Sequence, residues 1–179
     1  MAVWCGFLRG VNLGKRQMKM AELKACLETA GLGAVKTFLA SGNVRFEAEG
    51  NEADVRHRIE AAMEKSFAFP VRAVVRSADA LAAMVAAAPF AGLDPDADLT
   101  RHVLLSDRPF PESCALEGRP KDTEIVRMDD RELYLATYRQ ANGRYTEHVE
   151  EVLKPLYAAV GKDWLDTMRN WNTIEKILQ

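Results

Sequence analysis

The 179-residue sequence predicts an α+β fold: two successive β-α-β-β-α-β (ferredoxin-like) halves packed together, with an extra linking helix and a short C-terminal helix. Three observations lead there. Short apolar runs of strand length alternate with segments whose apolar residues recur at helical spacing. Tight polar turns, Ser41-Gly42 and Asp129-Asp130-Arg131, separate two pairs of strands. The same order of elements then occurs twice. The expected division is 1–76 for the first half, 77–99 for a helix and connector, and 100–179 for the second half with the terminal helix.

Val3 to Leu8 is a continuous apolar run closed by a glycine loop, the pattern of a buried strand. Met20, Leu23, Leu27 and Ala30 follow at helical spacing, and Gly31 supplies a stop. Val35 to Ala40 is rich in strand formers. After the turn, Val44, Phe46 and Ala48 alternate with Asn43, Arg45 and Glu47, so this strand has one polar face. Asn51 caps a helix that turns Val55, Ile59, Ala62 and Met63 inward, and Pro70 opens a strand to Arg76.

Ser77 caps the linking helix, with Leu81, Met84, Val85 and Ala88 inward, and Pro89 to Asp98 reads as the connector. The second half predicts a strand at 101–105, a short helix near Pro111 to Leu116, and strands at 123–128 and 132–138. A helix carrying Val149, Val152, Leu153, Leu156 and Tyr157 comes next, with Pro155 expected to kink it or begin a fresh turn. A strand near Asp163 to Met168 and a helix from about Asn172 complete the chain; Asn172 and Glu175 have capping-box spacing.

The formal charge is −2, from 24 Lys plus Arg against 26 Asp plus Glu, which disfavours a protein built to coat nucleic acid. Cys5, Cys26 and Cys114 are odd in number, far apart and without metal-ligand spacing, so neither zinc nor any other metal or cofactor is expected. Free thiols and the lack of a span-length apolar segment predict a cytoplasmic protein with no membrane partner.

The most informative stretch is Arg9-Gly10-Val11-Asn12-Leu13-Gly14-Lys15-Arg16, a basic, glycine-punctuated loop after the first strand. In a β-α-β-β-α-β unit that loop and the hairpin between the second and third strands lie at one end of the sheet. Arg9, Gly10, Asn12, Gly14 and Lys15 should therefore converge with Ser41, Gly42 and Asn43. Glycine backbone and arginine forks suit a phosphate or carboxylate. Three charge-assisted bonds would supply roughly 5–9 kcal/mol before ordering costs, millimolar to micromolar affinity. Arg169, Asn170 and Asn172 form a third polar turn that could complete the site. The loop matches neither a Walker A motif nor GxGxxG.

The runs Phe7-Leu8-Arg9-Gly10-Val11-Asn12-Leu13-Gly14, Lys19-Met20-Ala21-Glu22-Leu23, Ser41-Gly42-Asn43-Val44 and Thr167-Met168-Arg169-Asn170-Trp171-Asn172-Thr173 resemble the domain-of-unknown-function 1697 (DUF1697) family of uncharacterised, mostly bacterial proteins. The resemblance extends over nearly the whole chain, apart from about Pro89 to Glu124. It implies an α+β protein of ferredoxin-like organisation and brings no activity, substrate or cofactor.

The sequence thus favours binding of a small anionic ligand. One alternative is single-stranded nucleic-acid binding through the first half, whose element order is that of RNA-recognition motifs and whose Trp4 falls where such domains stack a base. Asn43 and Arg45 on the third strand replace the aromatics that mode wants. The other alternative is an enzyme using the same cluster electrostatically, although no general base or carboxylate pair stands at catalytic spacing. Histidines 57, 102 and 148 read as ordinary surface or core residues. Each half alone is marginal in size, and both faces of the first strand are apolar, so the halves should share buried surface. Calorimetry should then show one cooperative unfolding transition; two separated transitions would contradict this expectation.

Overall fold

The computed structural model describes residues 1–11, 17–39, 42–146 and 148–179. The element order is β1 (Ala2–Arg9), α1 (Met20–Thr29), β2 (Gly33–Phe38), β3 (Asn43–Ala48), α2 (Glu52–Ser66), β4 (Arg72–Ser77), α3 (Ala78–Ala86), β5 (Leu99–Ser106), β6 (Thr123–Met128), β7 (Glu132–Tyr138), α4 (Val149–Ala159), β8 (Asp166–Asn170) and α5 (Trp171–Ile177). The strands form two antiparallel sheets of four, ordered β2-β3-β1-β4 and β6-β7-β5-β8. The chain divides into two compact units, one of Met1–Ala86 with Thr173–Gln179 and one of Ala87–Asn172.

In the first unit β1 pairs with β3 on one edge and β4 on the other. One face of the sheet packs Trp4, Leu8, Val44, Phe46, Ala73 and Val75 against Leu23 and Leu27 of α1 and Val55, Ile59 and Met63 of α2. The helix ends follow local chemistry. Gly31 and Leu32 return their amides to the carbonyls of Glu28 and Leu27, closing α1. Asn51 and Asp54 form a reciprocal capping box at α2. The Ser77 hydroxyl accepts from the Ala80 amide at 3.1 Å and starts α3, which contacts β1 and β4.

The second unit has a core of Leu104, Leu133 and Leu135 from the sheet, Leu153 and Leu156 from α4, and Phe110. Phe90, Tyr134 and Trp171 meet edge to face at 5.2–5.9 Å between ring centroids, which anchors the 89–98 connector.

Four local expectations are corrected. The helix expected near Pro111 to Leu116 does not form; the segment makes one turn, from the Cys114 amide to the Pro111 carbonyl at 2.9 Å. Pro109, Pro111 and Pro120 remove three amide donors from a segment too short to recover them, so buried Phe110, against Trp164, anchors it instead. The cap of α5 is Asn170, whose side-chain oxygen accepts from the Asn172 amide at 2.9 Å, and not Asn172. Tyr157 is 44% exposed, because its position on α4 lies beyond the stripe of Val152, Leu153 and Leu156. Ala88 lies past the end of α3, exposed. Helix α4 continues through Pro155.

Replacing Asn51 with Ala removes one arm of the capping box and should cost about 1 kcal/mol. A lower urea midpoint at unchanged m-value is the expected reading.

Candidate functional site

Strand pairing joins two of the predicted polar turns within the first unit. Phe7 lies opposite Asn43 in the β1–β3 register, and the Leu8 amide donates to the Gly42 carbonyl at 2.8 Å. Arg9-Gly10 and Gly42-Asn43 therefore occupy the same end of the sheet. Gly42 has φ +74, and a Cβ there would stand 2.9 Å from Leu8 Cβ and 3.0 Å from Val11 Cγ2, so no side chain fits. Gly10, at φ +87, turns the chain out of β1.

Sequence reasoning overlooked a further cation at this end. Arg72 lies directly opposite Arg9 in the β1–β4 pairing, and both side chains are exposed. The signal was available: antiparallel pairing of the first and last strands of the unit brings the start of one to the end of the other. Like charges directly opposed on neighbouring strands repel, and a multi-oxygen anion accepts from guanidinium forks.

Asn43 is fully buried, and its Nδ2 donates to the Phe38 carbonyl at 3.0 Å across the β2–β3 hairpin. Asn12, Gly14, Lys15 and Ser41 lie outside the described residues. In the second unit, half-buried Arg169 donates through Nη1 to Thr167 Oγ1 at 2.5 Å and to the Met168 carbonyl at 2.9 Å. Burial pulls its pKa down to about 10, so it remains a cation at neutral pH. Exposed Asn170 caps α5, and the exposed Asn172 side chain accepts from Arg101 at 3.0 Å.

Trp4 packs on the helix-covered face, 8% exposed, rather than on the face where a nucleic-acid base would stack. Cys5 is buried, its thiol pushed up to about 12 by loss of solvent against the opposing pull of Arg45, so it stays protonated. Cys5, Cys26 and Cys114 are all free thiols. Among the described residues no helix is long and apolar enough to cross a membrane, and no group of three His, Cys, Asp or Glu residues is placed to hold a metal ion.

The second unit contains a polar hub that the sequence did not disclose. Asp122 Oδ2 meets His148 Nδ1 at 2.9 Å, while its other oxygen accepts from Thr123 at 3.1 Å and from Thr146. Twenty-six residues separate the pair, so only the β6–β7 hairpin and the approach to α4 bring them together. Burial of Asp122 opposes ionisation, but the hydrogen bonds from Thr146, His148 and Thr123 and the charge of His148 outweigh it and hold the carboxyl below its ordinary 3.8.

These elements define an α+β protein with two antiparallel four-stranded sheets and, among the described residues, five helices. The chain belongs to the DUF1697 family, described as "Protein of unknown function (DUF1697)", which it matches over residues 1–134. The match includes the Arg9 and Ser41 turns and the middle of the chain, and stops before the Arg169–Thr173 turn. A similar solved structure is that of the conserved bacterial protein SP0830 from Streptococcus pneumoniae, with a TM-score of 0.69 and 21% identity, over 100% of this chain and 97% of that one. No curated protein matches.

A folded-state pKa below the unfolded value contributes stability that is present above the unfolded pKa and lost as pH falls through the folded one. The stability difference between wild type and Asp122→Asn should accordingly be full above about pH 5 and shrink in acid. Urea midpoints across a pH series measure it; a difference independent of pH would remove the stabilising role assigned to the Asp122 carboxylate.

Proposed function

We propose that the protein binds a small anionic ligand, phosphate- or carboxylate-bearing, at the end of the first sheet. Arg9 and Arg72 grip it, Gly10 lets the backbone approach, and Gly42 packs the adjoining hairpin against Leu8 and Val11. The carrying observation is the direct opposition of Arg9 and Arg72 beside two positive-φ glycines. Two guanidinium forks a strand spacing apart suit an anion with several oxygens better than a single carboxylate. Asn12, Gly14, Lys15 and Ser41 join this proposal on sequence grounds, and Asn43 holds the hairpin from within. Arg169, Asn170 and Asn172 form bonds inside their own unit and are left out of it.

In this proposal the first unit is ferredoxin-like, from its β-α-β-β-α-β order and its β2-β3-β1-β4 sheet. The second unit is read as the same arrangement with loop 107–122 in place of the first helix. Three free cysteines favour a reducing, cytosolic setting for the ligand.

Inorganic phosphate, pyrophosphate and citrate are the probes. At one hundred times its dissociation constant a ligand adds about 2.7 kcal/mol, a rise of roughly 5–10 °C in Tm for a chain of this size. Arg9→Ala and Arg72→Ala should each weaken binding about tenfold or more, the loss of a charge-assisted hydrogen bond. A Tm unmoved by all three probes, or a shift that survives both substitutions, overturns the assignment.

A further inference from the structure

At the opposite end of the same sheet, six residues back along β1 and roughly 20 Å from Arg9 at strand rise, lies a recess of about 120 Å³ lined by Val3, Ala34, Lys36, Arg45, Phe46 and Glu47. We propose that this recess is a second binding site, separate from the anion site, for a small zwitterion of amino-acid size.

The charges are arranged for such a ligand. Lys36 and Arg45 are directly opposed in the β2–β3 register. Glu47 lies two residues along β3 from Arg45, on the same face, because side chains two apart on a strand share a face. Two cations are thus set beside one carboxylate, with the apolar Val3 and Ala34 completing the wall. A ligand carboxylate pairs with Lys36 and Arg45, its ammonium with Glu47, and its short carbon body rests on the apolar wall. The volume is well below the roughly 300 Å³ at which pockets for larger ligands begin, so it matches an amino-acid-sized ligand.

The backbone around the recess is specialised. The register slips between Gly33 and Lys36, so β2 carries an extra residue. Ala34 in that bulge adopts φ +47, a left-handed conformation that costs an alanine but not a glycine. Strained residues of this kind gather at binding sites, where the surrounding structure enforces them. Arg45 is held from behind, its Nη1 donating to the carbonyls of Ile177 at 3.4 Å and Leu178 at 3.1 Å. Those bonds employ one nitrogen of a group with five N–H donors, so the guanidinium is oriented by them while other donors remain for a ligand.

The test is NMR titration of the full chain with L-alanine and β-alanine, each compared with N-acetyl-alanine and alanine amide, which remove one charge apiece. Saturable shifts of the Val3, Ala34 and Glu47 amides are expected with the zwitterions, and affinity about tenfold lower or worse for either blocked form. Glu47→Gln should abolish the preference for alanine over N-acetyl-alanine. Lys36→Met should weaken both alanine and N-acetyl-alanine. Both positions avoid Arg45, whose removal would also loosen the 177–178 segment. Arg9→Ala should leave these titrations unchanged, which separates this site from the phosphate site. No saturable shift with either zwitterion, equal affinity for alanine and N-acetyl-alanine, or a preference that persists in Glu47→Gln would overturn the proposal.

Discussion

Strand β1 is the constraint on which the first unit depends. Its backbone is hydrogen-bonded along both edges, to β3 and to β4, and its residues from Trp4 to Leu8 are buried irrespective of which face they occupy. A strand fixed on four sides cannot slip by one residue without exchanging every core side chain for its neighbour on the other face. That rigidity carries the position of Arg9 into register with Arg72, and the position of Gly42 onto Leu8.

The same sheet distributes its cations unevenly. Lys36, Arg45 and Arg76 flank Cys5 in one row across four strands. Arg76 is 1% exposed, with its guanidinium 3.7 Å from Glu52 and bonded to the Val75 carbonyl at 3.0 Å. Burying a cation is tolerable when a carboxylate and a carbonyl replace its water, and strongly destabilising when either is removed. Arg76 belongs to the architecture, whereas Arg9 and Arg72, exposed at the rim, keep access to solvent and to solutes.

Much of this was legible in the sequence because the deciding physics was local. The capping box at Asn51, the Ser77 cap, the Gly31 stop and the limits of β6 and β7 all follow from residues within a few positions of one another. The 111–116 segment misled because its composition permits a helix turn while three nearby prolines and the docking of Phe110 decide against one. Asn170 and Asn172 are equally good caps by type, and the choice between them depends on where β8 ends. At the candidate site, the approach of Arg9-Gly10 to Gly42-Asn43 followed from topology. The same topology places Arg72 at that end too, though its direct opposition to Arg9 needed the register, and the Asp122–His148 pair needed the path from the β6–β7 hairpin to α4.

The division of the chain bears on how the protein is made. Residues 173–179 belong to the first unit, where Ile174 and Ile177 are fully buried and Arg45 binds the carbonyls of 177 and 178. On the ribosome those residues emerge only after 87–172 have been synthesised. Domains usually fold as units in the order of translation, but here the last segment of the earlier unit is made after the later unit. Completion of the first unit therefore waits on the synthesis of residues 87–172, although most of its chain is made before them.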